Sequence, residues 1–135
     1  MIITATIKNS YRENNITVST DNNEKKITIP GKTEGYGSSV NGGELLFLSL
    51  ATCFCNDIYR EAAKRKMIID SVEVFVSGNF GKEGEPGSNI VYETKVKSSG
   101  NSQQEIDDLI HYVDTIAEIH NTLRKGVSVT IKNQK

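Results

Sequence analysis

The chain is poor in cysteine, carries almost no net charge and has no long apolar run, and each shortage excludes something. Its two cysteines, Cys53 and Cys55, stand two positions apart. That is a poor basis for a disulfide framework and fits an intracellular, reducing compartment. Sixteen basic residues face seventeen acidic ones, a net charge of -1, which argues against a nucleic acid or an anionic membrane surface as partner. The longest apolar run, near Leu45 to Leu50, is far too short to span a bilayer. The start, Met1-Ile2-Ile3-Thr4-Ala5-Thr6-Ile7-Lys8, has no charged region followed by an apolar core, so no signal peptide is read and a cytoplasmic protein is expected. Cys-x-x-Cys and His-x-x-x-His pairs are missing, and no cofactor or metal site is expected from His111, His120, Cys53 and Cys55. Gly35-Tyr36-Gly37 and the stretch from Gly78 to Gly87 lack the Lys-Ser/Thr of a phosphate-binding loop.

What is present fits a single domain over residues 1–135. Ile3, Ala5 and Ile7 alternate with polar residues, as do Ile16 with Val18 and Ile27 with Ile29, which is the period of strands. Asp21-Asn22-Asn23-Glu24 breaks the second from the third. Residues 31–43 read as a loop in which Ser38, Ser39 or Asn41 can cap a helix over Gly43–Lys66. The first half of that helix is apolar all round, so burial on several sides is expected. Its second half has a polar side of Asn56, Asp57, Arg60, Glu61 and Lys64. Val72, Val74 and Val76 form a strand, and Ile90, Tyr92, Thr94 and Val96 form its return. Ser102-Gln103-Gln104-Glu105 is a capping box. Ile106, Leu109, Ile110, Val113, Ile116 and Ala117 follow at helical spacing, Gly126 ends the helical region, and Val127, Val129 and Ile131 read as a last strand. The order βββ-α-ββ-α-β is an α+β pattern. Two small sheets cannot wrap one long apolar helix on all sides, so a homodimer that packs two such helices together is expected.

Cys53 lies in the apolar half of the long helix. On the residues alone it is either a small buried hydrophobe or a nucleophile held in a dry pocket. A nucleophile needs a cation or dipole to favour its thiolate. Arg12, between the first two strands, is a candidate, whereas Arg60 is two turns along the same helix and too far for direct contact. Cys55 faces roughly 200° away from Cys53 on a regular helix. His120 reads as a satisfied helix-end or interface histidine, and the tyrosines read as packing.

The run Gly42-Gly43-Glu44-Leu45-Leu46 followed by Leu50-Ala51-Thr52-Cys53-Phe54 resembles the helix motif of the OsmC/Ohr family. The segment from Ala62 to Val74 is similar to that family's helix end and next strand. His120-Asn121-Thr122-Leu123-Arg124-Lys125-Gly126-Val127 resembles its C-terminal motif. The resemblance implies an intertwined homodimer with reactive cysteines near the subunit interface, and thiol-dependent reduction of organic hydroperoxides. By it Cys53 is the peroxidatic cysteine, Arg12 the arginine that polarises it and Glu44 the glutamate at the helix start.

Two departures accompany the match. Family members begin the C-terminal motif with Cys-Pro, where this chain has Ala117-Glu118, so the resolving cysteine is missing and an external thiol reductant is implied. The catalytic glutamate of the peroxidase members aligns with Gly43. Glu44 matches the next position, as in the uncharacterised branch, and is also a first-turn carboxylate favoured by the helix dipole. The competing expectation is a non-catalytic or differently reactive dimer that binds a small apolar or thiol-reactive ligand.

Overall fold

A computed structural model of the chain describes residues 1–132. The elements are β1 (Ile3–Ser10), β2 (Glu13–Thr20), β3 (Asn23–Ile27), α1 (Gly42–Lys64), β4 (Ser71–Asn79), β5 (Ser88–Lys97), α2 (Gln103–Ile116) and α3 (Glu118–Lys125). This is the α+β arrangement that the residue pattern implies, with corrections at its C-terminal end. The chain groups into two compact units, Met1–Leu45 and the remainder from Leu46 onward.

In the first unit β1, β2 and β3 form an antiparallel meander with Ile7 opposite Ile16 and Ile16 opposite Ile27. Asp21 and Asn22 both take positive φ, 47° and 69°, the backbone demanded by a two-residue hairpin turn. Arg12, in the β1–β2 turn, has φ 64°. Its peptide N–H donates to Gly35 O at 2.8 Å, which brings the following loop over the turn. Gly31 is required there, because a Cβ at that position would lie 2.8 Å from the carbonyl carbon of Arg12.

Helix α1 starts on a reciprocal cap. Asn41 Oδ1 accepts from Glu44 N at 2.8 Å and Glu44 Oε1 accepts from Asn41 N at 3.0 Å, so two otherwise orphaned donors are satisfied. The expected all-round burial of its first half is not found in the single chain: Leu48 is 59 % exposed. Two residues of the polar side of its second half, Asp57 and Glu61, are buried.

The second unit holds the core. Leu50, Phe54, Ile58 and Ala62 recur every four residues along α1, and Leu109, Val113 and Ala117 recur likewise along the C-terminal helical region; all are buried. Residues spaced by four lie on one helix face. Val72, Val74, Tyr92 and Val96, on one face of the antiparallel β4–β5 pair, pack against this cluster. Fully burying one such aliphatic or aromatic side chain is worth about 1.5–3 kcal/mol.

Ser102 caps α2 with Glu105 at N3 as the capping box requires. The helical region is nevertheless divided at Ala117, whose ψ of 109° leaves the helical range. Alanine is the best helix former, so propensity does not explain the break. Side chains from α3 do: Asn121 Nδ2 donates to Thr115 O at 3.0 Å, and Arg124 Nη1 donates to Asp114 O at 2.9 Å. These donors satisfy carbonyls that the end of α2 would otherwise leave open. Gly126 ends α3 in the left-handed region at φ 65°, as the sequence indicates. The last expected strand does not form: Val127, Val129 and Ile131 are irregular, and Val129 is 96 % exposed. Alternation alone makes no strand without a neighbour to complete its hydrogen bonds.

Candidate functional site

Cys53 is half-buried on α1 and makes no disulfide. Its Sγ lies 3.8 Å from Asp57 Oδ2, one turn along the helix, and 3.9 Å from Glu118 Oε2, at the first residue of α3. A thiol has one proton, so it donates to one carboxylate at a time. The break at Ala117 turns Glu118 toward the sulfur.

The electrostatics favour the thiol over the thiolate. Burial pushes the Cys53 pKa above the ordinary thiol value, and the Asp57 and Glu118 charges push it further; backbone N–H groups of Ile119 and Glu118 oppose this in part. Burial also raises the Asp57 pKa, Arg60 opposes it, and Glu118 adds to the rise. Arg60 is thus present by relay: its Nη1 is 2.8 Å from Asp57 Oδ1 and its Nε 3.0 Å from Glu61 Oε2. Lys64 Nζ completes the row at 2.8 Å from Glu61.

The ligand atoms of Cys53, Asp57 and Glu118 lie within 4.8 Å of one another, which makes them a sulfur-and-two-carboxylate set that could hold a cation. Arg60 already neutralises one of these carboxylates. Cysteine and histidine spacing gave no sign of this set, since it joins positions 65 residues apart.

His120 lies in the first turn of α3, the helix-end position the sequence implies, but is not satisfied there by the single chain. It is buried, at 4 % exposure, yet neither ring nitrogen has a hydrogen-bond partner among the described residues. Its ring meets Tyr92 at 4.6 Å and Phe54 at 5.7 Å between centroids. Burial lowers its pKa, Arg124 lowers it further and Asp114 opposes them, so the neutral imidazole is favoured. His120 lines a cleft of about 250 Å³ with Leu50, Ile90, Tyr92, Leu123 and Arg124. At the rim, Tyr92 donates its hydroxyl to Asp114 Oδ1 and Arg124 Nη2 meets the same oxygen at 2.7 Å. Leu50 is three residues before Cys53, on the neighbouring turn of the same helix.

Two other sequence-derived candidates, Arg12 and Glu44, have partners of their own in the first unit. Arg12 is half-exposed, with Nη2 3.4 Å from Glu34 Oε1 and Nε donating to Thr33 O. Glu44 is engaged in the α1 cap. Cys55 lines a shallow surface depression with Ala51, Thr52, Asn56 and Val74. Asp57 and Glu118 were missed as site residues. The signals for them were the four-residue interval after Cys53 and the Glu that stands where the family motif has Pro.

No curated protein matches the chain. Among solved structures, an OsmC-like protein from Mycoplasma pneumoniae superposes with a TM-score of 0.60 at 21 % identity, covering 90 % of this chain and 87 % of that one. An OsmC-like protein of unknown function from Vibrio cholerae gives 0.59 at 18 % identity, with coverage of 88 % and 92 %. The organic hydroperoxide resistance protein OhrB of Bacillus subtilis gives 0.54 at 18 % identity, with coverage of 92 % and 91 %. These likenesses establish a shared fold. The OsmC family model, described as OsmC-like protein, matches residues 35–132, well over half of the sequence, and the chain belongs to the OsmC family.

Proposed function

We propose that the protein is a thiol-dependent peroxidase that reduces small organic hydroperoxides through Cys53. The observation that carries this reading is the half-buried, unbridged Cys53 sulfur one helix turn from an apolar cleft. The sulfur attacks the terminal peroxide oxygen, the O–O bond breaks, and the alkoxide leaves with the proton that the thiol gave up. Sulfur loses two electrons and becomes a sulfenic acid, while the hydroperoxide becomes an alcohol. Two equivalents of an external thiol then return Cys53 to the thiol, forming a disulfide and water. An external reductant is invoked because Ala117 stands at the resolving position and Cys55 lies on another side of α1.

In this reading Arg12 and Glu44 polarise the reacting group, and each must exchange its present partners to do so. The protein works as a homodimer in the cytoplasm, with no nucleic-acid or membrane partner. Exposed Leu48 and Phe75 supply apolar surface for the dimer contact.

A second reading has one observation of its own. Burial and two carboxylates hold the Cys53 thiol protonated, the reverse of a resting nucleophile. That suits a non-catalytic or differently reactive member that binds a small apolar or thiol-reactive ligand.

Treatment with cumene hydroperoxide and a sulfenic-acid trap, on wild type, Cys53→Ser and Cys55→Ser, separates the two. Peroxidase chemistry requires labelling that is lost in Cys53→Ser and kept in Cys55→Ser. Oxidation no faster than that of a free thiol leaves the binding reading in place.

A further inference from the structure

Cys53, Asp57 and Glu118 offer three ligand atoms to one point. Cys53 and Asp57 stand four residues apart on α1 and share a face, and Glu118 joins them from the first residue of α3. The sulfur is 3.8 Å from Asp57 Oδ2 and 3.9 Å from Glu118 Oε2, and the ligand atoms of the three lie within 4.8 Å of one another. Around a tetrahedral zinc, with sulfur at about 2.3 Å and oxygen at about 2.0–2.2 Å, a sulfur and an oxygen ligand stand about 3.5–3.7 Å apart. The set closes on such an ion by shifts of a few tenths of an ångström, and Glu118, an exposed side chain, can make them.

The surroundings also call for a cation. Asp57 is only 4 % exposed, and Arg60 holds its Oδ1 at 2.8 Å. Its other oxygen, Oδ2, points into the set beside the Glu118 carboxylate, where its donor among the described residues is the weak S–H of Cys53. A buried carboxylate oxygen so poorly matched is costly. The charges agree: Arg60 and Lys64 offset Asp57 and Glu61, which leaves Glu118 and, once its proton is lost, Cys53, a deficit that one divalent cation cancels. Outer partners are in place, with Arg60 orienting Asp57 and the backbone N–H groups of Glu118 and Ile119 facing the sulfur.

We propose that Cys53, Asp57 and Glu118 form a binding site for a sulfur-seeking divalent cation of the zinc class, with the fourth position left to water or another small ligand. The thiolate selects such ions over Mg²⁺ and Ca²⁺, which take oxygen ligands. Binding exchanges the thiol proton, which goes to solvent, for a metal–sulfur bond, and no group is oxidised or reduced. The site does not rest on the peroxidase reading, since a chain inert toward hydroperoxides would bind the ion equally well.

The probe is Co²⁺, added to the full-length chain kept reduced by a non-thiol reductant, so that Cys53 and Cys55 are the only thiols present. The expected result is a saturable sulfur-to-metal charge-transfer band with the visible bands of tetrahedral Co²⁺. Zn²⁺ displaces the Co²⁺ and Mg²⁺ does not. Cys53→Ser loses the band and Cys55→Ser keeps it. Losing even an outer partner of a metal ligand costs roughly 10–100-fold in affinity, so Asp57→Asn and Glu118→Gln should each bind Co²⁺ at least about tenfold more weakly. Zn²⁺ should also shield Cys53 from iodoacetamide in the wild type and not in Glu118→Gln. The absence of a charge-transfer band would overturn the proposal, as would a band that survives Cys53→Ser or an unchanged affinity in Glu118→Gln. Glu118 is exposed, so that last variant decides the matter even if Asp57→Asn, at a buried position, fails to fold. Binding is read without peroxide, so its failure leaves sulfenic acid formation at Cys53 untouched, and the reverse also holds.

Discussion

Cys53 Sγ and Asp57 Oδ2 lie 3.8 Å apart on consecutive turns of α1. The carboxylate is itself held by Arg60 at 2.8 Å, so the positive charge reaches the sulfur only through an intervening negative group. With Glu118 on the other side, the thiol faces two anions at short range and one cation behind them. Beyond burial, this arrangement favours the protonated form of Cys53, and Asp57→Asn and Glu118→Gln test it. Burial and both carboxylates raise the thiol pKa, so alkylation of Cys53 by iodoacetamide should titrate above the free-thiol value. Either variant should move the midpoint down and speed alkylation at pH 7 by about 3–10-fold, since one pKa unit is tenfold in thiolate. The effect should be larger in Asp57→Asn, which also frees Arg60. A midpoint unchanged in both variants would show that burial alone sets the thiol.

Stability should depend on the protonation of His120. Burial first, and Arg124 second, lower its pKa below the unfolded value. The unfolded chain therefore takes up a proton before the folded chain does. The stabilisation is complete above about pH 6.5 and is lost as pH falls toward the folded pKa, with a slope no steeper than about 1.4 kcal/mol per pH unit for one proton. Urea denaturation of wild type and His120→Phe between pH 5 and 8 isolates this contribution. The difference between the two should grow in favour of the variant as pH falls, and a difference independent of pH would refute the assignment.

Ala117 stands where the family motif has its resolving cysteine, and it is buried in the core against which Cys53 packs. Ala117→Cys should therefore form a disulfide with Cys53 on treatment with cumene hydroperoxide, visible by mass spectrometry of the peptides. A small-to-large change in a packed core costs about 1–3 kcal/mol, so some loss of stability should accompany it. Stable sulfenic acid with no cross-link would mean that the two positions do not meet disulfide geometry.

Leu48 is 59 % exposed in the first half of α1, the helix that also carries Leu50, Phe54, Ile58 and Ala62 of the core. In a homodimer that buries this face, Leu48→Glu should weaken association by about tenfold or more while changing the stability of the single chain by no more than about 0.5 kcal/mol. Sedimentation equilibrium measures the first and denaturation at low protein concentration the second. An unchanged dimer would place the interface elsewhere, and a monomeric wild type would remove the interface altogether.

Much of the fold was legible because its signals are local. The alternation of Ile3, Ala5 and Ile7, the cap residues Asn41 and Ser102, the helical spacing from Ile106 to Ala117 and the stop at Gly126 are each local signals. The misreadings came where an element needs something from outside itself. Val127 to Ile131 alternate correctly and remain irregular, because a strand needs a neighbour. Ala117 favours helix and breaks it, because Asn121 and Arg124 further along the chain claim the carbonyls before it.

The site divides the same way. Residue order alone was enough to single out Cys53, to place it on a long helix, and to show through Ala117 that an intrachain resolving thiol is missing at the family position. Tertiary structure decided its chemistry, because the protonation of a thiol depends on which charges lie within a few ångströms and how much water remains. Asp57 was one turn away in sequence, but Glu118 reached the sulfur only through the turn at Ala117. The same turn buries His120 beside Leu50 and Tyr92 without a partner among the described residues, and no spacing in the chain marks that imidazole as unsatisfied.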